Sequence, residues 1–192
     1  MKSKAVNSLS LLAYFLVIIG MTFIVFNSII LLRTHEQIPV QDITDIPSFD
    51  KKDLPLKEGE WFGVLIAPSQ NKKVPIYEGT SSDILSKGAG HYSASASPED
   101  SDNTIISGHR DTYFRFLKDV SKNDKIIIQT KKGIFTYRIR KTDIVSASAD
   151  NILTPKSRPI LTLTTCFPFS YIGDAPDRYI LTADLIKQEI NK

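Results

Sequence analysis

Between Leu9 and Leu32 the chain runs for 24 residues, LSLLAYFLVIIGMTFIVFNSIILL, without one charged side chain. A helix rises 1.5 Å per residue, so a run of this length reaches across the ~30 Å of hydrocarbon in a bilayer. A cleavable signal peptide has an apolar stretch of only about 7 to 15 residues ending in a small-x-small site. The run here is longer and lacks such a site, which predicts an uncleaved anchor. Lys2, Lys4 and the terminal amine precede it, whereas Arg33 is followed by neutral or acidic residues. That asymmetry predicts a cytoplasmic N-terminus and places the rest of the chain outside a single-pass cell membrane protein. Residues 1–33 are therefore expected to form a cytoplasmic tip and transmembrane helix. Residues 34–60, polar and carrying Pro39, Pro47 and Pro55, are expected to form an extended stalk. Residues 61–192 remain for one folded domain beginning near Trp61, too few for two independent cores.

That domain is expected to be mainly β. Its apolar runs are short and rich in β-branched and aromatic residues: WFGVLIA, KVPIYE, NTIISGH, DKIIIQT, IFTYRIRKTDIVS, PILTLTTC and RYILTADLI. Lys131, Lys132 and Gly133 mark a hairpin between two of them, while Ser81–Lys87 and Thr112–Val120 have room for single helical turns. Strands in this number leave many unpaired edges unless the sheet closes, so a closed or nearly closed barrel is the expected architecture.

The 24 Lys and Arg are dispersed among 21 Asp and Glu, for a net charge of +3. No basic stripe forms, which argues against nucleic acid as a partner. Cys166 is the single cysteine. It can form no disulfide within the chain, and no Cys/His cluster has the spacing of a zinc site. A free thiol outside the membrane is exposed to oxidation, so its presence there points to reactivity or to intermolecular pairing. It closes the run PILTLTTC just before Phe167-Pro168, where proline ends strand pairing and the thiol can face a groove. A cysteine nucleophile needs a partner that exchanges protons near neutral pH. His35 falls beside the expected membrane segment. His109, at the end of TIISGH and before the polar turn Arg110-Asp111-Thr112, is preferred on position, with His91, in GAGHY, as its rival, and either could instead be a neutral imidazole bonded to backbone. Arg178 opens the last run twelve residues after Cys166. Two strands joined by a loop can bring its guanidinium beside the thiol as an oxyanion stabiliser, and a surface ion pair is the competing reading. Ile160, Leu161 and Leu163 could line a groove on one parity or simply pack the core.

Taken together, TLTTC from Thr162 to Cys166, SGHRDT from Ser107 to Thr112 and an arginine at the start of the final strand resemble the signature set of the sortases. The similarity spans Gly63 to Ile186. The resemblance implies an eight-stranded sortase-type β-barrel with Cys166 as nucleophile, His109 as general acid/base and Arg178 as stabiliser of the substrate carbonyl and oxyanion. Thr165 matches the family threonine that also faces the oxyanion. The stretch TCFPFSYIGDAPDRYI is similar to class D sortases, although GAGHY continues here as SASASPEDSDN rather than as the Gly-Thr and Pro-Gly rich turn usual in the family. With neither a second span at the C-terminus nor an Asp-Pro-aromatic lid in the stalk, an attachment enzyme is expected rather than a pilin polymerase.

The implied reaction cleaves a Leu-Pro-X-Thr-Gly or Leu-Pro-X-Thr-Ala sorting signal after Thr through a thioacyl enzyme. It then transfers the secreted protein to an amine of peptidoglycan or its lipid-linked precursor, in a Gram-positive type envelope. A Cys-His hydrolase that delivers the acyl group to water, and a membrane-tethered binding module without catalysis, are the alternatives. No cofactor is expected. Glu99, Asp100 and Asp102 form an acidic loop cluster that leaves calcium open, with a solvated loop as the simpler reading.

Overall fold

Each of the seven apolar runs becomes a strand in the computed structural model, which describes residues 2–34, 56–148, 154, 156–170, 173 and 175–191. The chain divides into two compact units, Met1–Asp42 and Ile43–Lys192. The first contains helix α1, Lys2–Thr34, along which the side chains of residues 13–29 are described. Tyr14, Phe15, Phe23, Ile24 and Phe26 on it are all exposed. Among the described residues no helix is long and apolar enough to cross a membrane. Across 35–55 the expected stalk lies outside the described residues.

The second unit is an eight-stranded closed barrel. Its strands are β1 (Trp61–Ala67), β2 (Lys72–Glu78), β3 (Ala89–His91), β4 (Asn103–Ser107), β5 (Lys125–Thr130), β6 (Gly133–Ser146), β7 (Ile160–Phe167) and β8 (Asp177–Ile190). Around the barrel they follow the order β1-β2-β3-β4-β7-β8-β6-β5. Pairing is antiparallel except between β2 and β3 and between β4 and β7. Closure joins β5 back to β1, so the edge problem posed by so many strands is removed. The short helix α2, Ser82–Leu85, lies in the β2–β3 crossover, and a 3-10 segment, Arg115–Asp119, lies between β4 and β5. Both fall within the two segments expected to make helical turns. Lys131 and Lys132 form the two-residue hairpin between β5 and β6, with Thr130 opposite Gly133.

Alternate residues of the strands fill the barrel. Leu65, Ile76, Ile106, Ile128, Phe135, Leu161, Leu163 and Leu181 are buried in one apolar cluster, capped by Phe114 and Leu117 from the segment after β4. This decides the reading of β7. Leu161 and Leu163 pack the core and Ile160 is buried, so none of the three lines an open groove. Because side chains alternate across a strand, Thr162, Thr164 and Cys166 occupy the opposite face of β7. Residues 56–60 already belong to this unit: Leu56 packs against the core and the Gly59 N–H donates to the Glu78 carbonyl at 2.8 Å.

Candidate active site

Cys166 and Arg178 are direct partners across the antiparallel β7–β8 pair. Facing residues of such a pair have Cβ atoms about 4.5–5.5 Å apart on the same side of the sheet, so the register brings both side chains out on one face of the β7–β8 pair. On the other flank, β4 runs parallel to β7 with Ser107 opposite Thr164. The Gly108 N–H extends that ladder to the Thr164 carbonyl at 3.2 Å. His109 follows Gly108 off the end of this ladder, the same end at which Cys166 lies two residues beyond Thr164. The strand order β4-β7-β8 thus gathers His109, Cys166 and Arg178 at one end of three neighbouring strands. His109 is exposed, and Cys166 and Arg178 are half-buried. Cys166 is a free thiol.

β4 stops where Gly108 passes under Phe114. A Cβ at position 108 would stand 2.7 Å from the ring, so no other residue fits here without moving the core aromatic. The chain then turns, with the Phe114 N–H donating to the His109 carbonyl at 2.9 Å. Thr165 is buried and its hydroxyl donates to the Gly108 carbonyl at 2.6 Å. A hydroxyl has one proton to give. In this arrangement Thr165 pins the histidine segment to β7, and its proton is not directed at an oxyanion. Arg178 uses Nη1 for the carbonyls of Ala175, at 3.3 Å, and Asp177, at 3.0 Å.

Sequence reasoning did not single out Phe167, Phe169 and Tyr179. Phe169 packs edge-on against Phe167, with centroids 6.0 Å apart, and against Tyr179 at 5.2 Å. The Tyr179 hydroxyl donates to the Leu117 carbonyl at 3.2 Å. The spacing FPF with a tyrosine just after the arginine was the available signal. Arg110, inside SGHRDT, was also passed over, and its Nη2 donates to the Gly173 carbonyl at 2.9 Å.

The rival histidine occupies a different environment. His91 is buried, stacked on Phe62 at 4.2 Å, and paired with Ile106, which places it level with Leu163 rather than Cys166. Its Nδ1 lies 2.8 Å from Glu78 Oε2 and its Nε2 lies 3.1 Å from the Ala96 carbonyl and 3.2 Å from Ser95 Oγ. The line Glu78–His91–Ser95 has the order of an acid–histidine–serine triad, but its protons are committed elsewhere. A carbonyl only accepts, so Nε2 donates to Ala96. The Ser95 hydroxyl donates to the Tyr92 carbonyl at 2.7 Å and accepts from the Ile105 N–H at 3.1 Å. With both ring nitrogens engaged by Glu78 on one side and by Ala96 and Ser95 on the other, His91 fastens the β3–β4 loop.

Burial raises the Glu78 carboxyl, but hydrogen bonds from His91 and Ser93, together with the His91 charge, outweigh it and hold the group below its ordinary value. A carboxyl depressed in the folded state stabilises fully above its unfolded value, about 4.3, and loses that contribution as pH falls through the lower native value. The melting temperature should therefore drop as pH is taken from 5 towards 3. In Glu78→Gln that acid-side drop should shrink, with a cost on the order of 2 kcal/mol at pH 7 from the lost charged hydrogen bond. Equal acid sensitivity in wild type and variant, measured by thermal unfolding, would contradict this role.

The acidic loop is tied into the protein. Glu99 pairs with Lys132 at 2.6 Å, Asp100 accepts from the Ser97 N–H at 3.1 Å, and Asp102 accepts from Asn103 at 2.7 Å and Lys156 at 2.5 Å. Among the described residues no group of three or more His, Cys, Asp or Glu side chains could hold a metal ion.

Residues 65–186 match the family model described as the sortase domain. The chain belongs to the sortase family. Sortases are cysteine transpeptidases. This sortase is 44% identical over 124 residues to sortase D of Bacillus subtilis strain 168, a stretch that covers 64% of the chain and 63% of that protein. The catalytic domain of B. anthracis SrtD superposes with a TM-score of 0.61 at 39% identity, covering 74% of this chain and 98% of that one. A Clostridium perfringens sortase D5 transpeptidase gives a TM-score of 0.63 at 28% identity, with 69% and 82% covered. The class D likeness seen in TCFPFSYIGDAPDRYI thus agrees with the relatives to which the chain is similar.

Proposed function

We propose that this chain is a membrane-anchored transpeptidase that cleaves an LPXT[G/A]-type sorting signal after Thr and transfers the protein to a cell-wall amine. The observation that supports it most is the convergence of His109, Cys166 and Arg178 at the shared end of β4, β7 and β8. In the forward half, the Cys166 thiol passes its proton to His109, Sγ attacks the Thr carbonyl carbon and the scissile C–N bond breaks. His109 gives the departing amine its proton, leaving a thioester on Cys166. An incoming amine of peptidoglycan or its lipid-linked precursor then attacks that carbon, and His109 takes the amine proton and returns it to sulfur as the C–S bond breaks. Arg178 carries positive charge beside the carbon where negative charge develops on oxygen. No step calls on a metal or cofactor.

Mass spectrometry of the full chain in detergent micelles, incubated with peptides ending in each signal, tests this reading. An adduct on Cys166 of the mass of the peptide up to Thr is expected, discharged to a new amide when an amine is added. Absence of any adduct would leave a binding module, and discharge to water alone despite added amine would make the protein a hydrolase.

The anchor rests on the uncharged run from Leu9 to Leu32, the lysines before it and the exposed apolar side chains of α1. Protease added to intact cells should remove the barrel domain while a tag at the N-terminus stays protected. A protected barrel would reverse the topology.

A further inference from the structure

Two hydrogen bonds join the segment that carries His109 to the segment that carries Arg178. Arg110, the residue after His109, donates from Nη2 to the carbonyl of Gly173, which precedes β8. Gly173 has φ of +104°, a conformation that other residues rarely adopt, so its carbonyl is aimed by a turn that glycine makes accessible. Tyr179, the residue after Arg178, donates to the carbonyl of Leu117 in the 3-10 segment after His109. Burial raises the Tyr179 phenol above its ordinary value. Its ring packs against the core cluster and against Phe169, three residues past Cys166. β7 lies between β4 and β8, so these ties bracket the strand end that holds the thiol.

We propose that Arg110 and Tyr179 are positioning residues that fix Arg178 relative to His109 across Cys166. The inference rests on the transpeptidase reading above. His109 and Arg178 act on opposite sides of the same carbonyl, yet Thr164 to Gly108 is the last ladder bond on the β4 flank, and Arg178 enters β8 from a loop. Without the two ties, each group could drift by an ångström or so, which is enough to cost substantial rate. Both side chains donate to backbone carbonyls, of Gly173 and Leu117. Both act through the placement of Arg178.

The test is a pair of double-mutant cycles on the full chain in micelles, read as the rate of Cys166 acylation by a sorting peptide. Arg110→Ala and Tyr179→Phe should each slow acylation by about tenfold, mainly in kcat, as loss of a hydrogen bond involving a charged or buried donor would. Arg110→Lys, which keeps a donor within reach of Gly173, should recover most of the rate. In an Arg178→Lys background the same substitutions should cost less than about threefold, because there is no longer a guanidinium to place. Alkylation of Cys166 by iodoacetamide should proceed at the wild-type rate in the Arg110 and Tyr179 single variants. Full-sized, additive losses in the Arg178→Lys background, normal rates in the single variants, or a parallel fall in alkylation would each overturn the proposal. Arg110 sits in a partly exposed turn, so its variants remain informative even where Tyr179→Phe fails to fold. A wild-type chain that is never acylated sinks the functional reading instead, so the two failures are separable.

Discussion

Cys166→Ala should abolish both cleavage of a sorting peptide and its transfer to an amine while leaving the melting temperature close to wild type. The position is half-buried at the end of β7, on the face turned away from Leu161 and Leu163, so loss of one sulfur opens no cavity in the barrel core. The chemistry, by contrast, loses its only thiol, since no other cysteine exists in the chain. Without a covalent intermediate the incoming amine has nothing to discharge, and rates should fall by more than about a thousandfold, to the level that binding and oxyanion contacts alone sustain. His109→Ala should approach the same loss, whereas His91→Ala should act through stability, because His91 is held by Glu78 and Ala96 away from the β7 end. Peptide cleavage by folded Cys166→Ala at a rate near wild type would remove the nucleophile assignment. A larger catalytic than thermal effect in His91→Ala would return the acid/base role to that residue.

How far the site was legible depends on which contacts are local. The strand content followed from short β-branched runs, and the nearness of Cys166 and Arg178 followed from two strands joined by one loop, which the structure makes into direct partners. The choice between His109 and His91 could not come from spacing, since both follow glycine near a strand end. It depends on β4 lying parallel to β7 while β3 meets β4 antiparallel, an order set by closure of the whole barrel. The strand β3 itself was missed because Ala89, Gly90 and His91 carry no β signal. Their pairing is imposed by neighbours, and a Cβ at Gly90 would collide with the Gly79 carbonyl. Likewise β8 continues past its apolar run to Ile190 because β6 accompanies it down to Gly133. Thr165 was expected from the resemblance to face the oxyanion. Its bond to Gly108 is a contact between residues 57 apart in the sequence, set by the β4–β7 pairing.

Arg178→Lys should lower kcat/KM for acylation by roughly a hundredfold, on the order of 3 kcal/mol, although the charge is retained. Both protein bonds of the guanidinium use Nη1, which holds the carbonyls of Ala175 and Asp177. In the proposed reaction the Nη2 and Nε hydrogens are the part of the planar fork that would meet a carbonyl oxygen beside Cys166. One guanidinium can thus brace its own loop and face the reacting centre together. A lysine ammonium is a single point with three donors on a flexible stem, so it can serve either the loop carbonyls or the oxyanion in fixed geometry, and not both. Were Arg178 only an exposed charge, the substitution would cost at most ~1 kcal/mol, less than tenfold in rate. The two outcomes are separated by enough to measure, with thermal unfolding as the control for the loop contacts. A folded Arg178→Lys protein that forms its adduct at a near-normal rate would take the arginine out of the chemistry. Oxyanion stabilisation would then fall to backbone N–H groups at the end of β7.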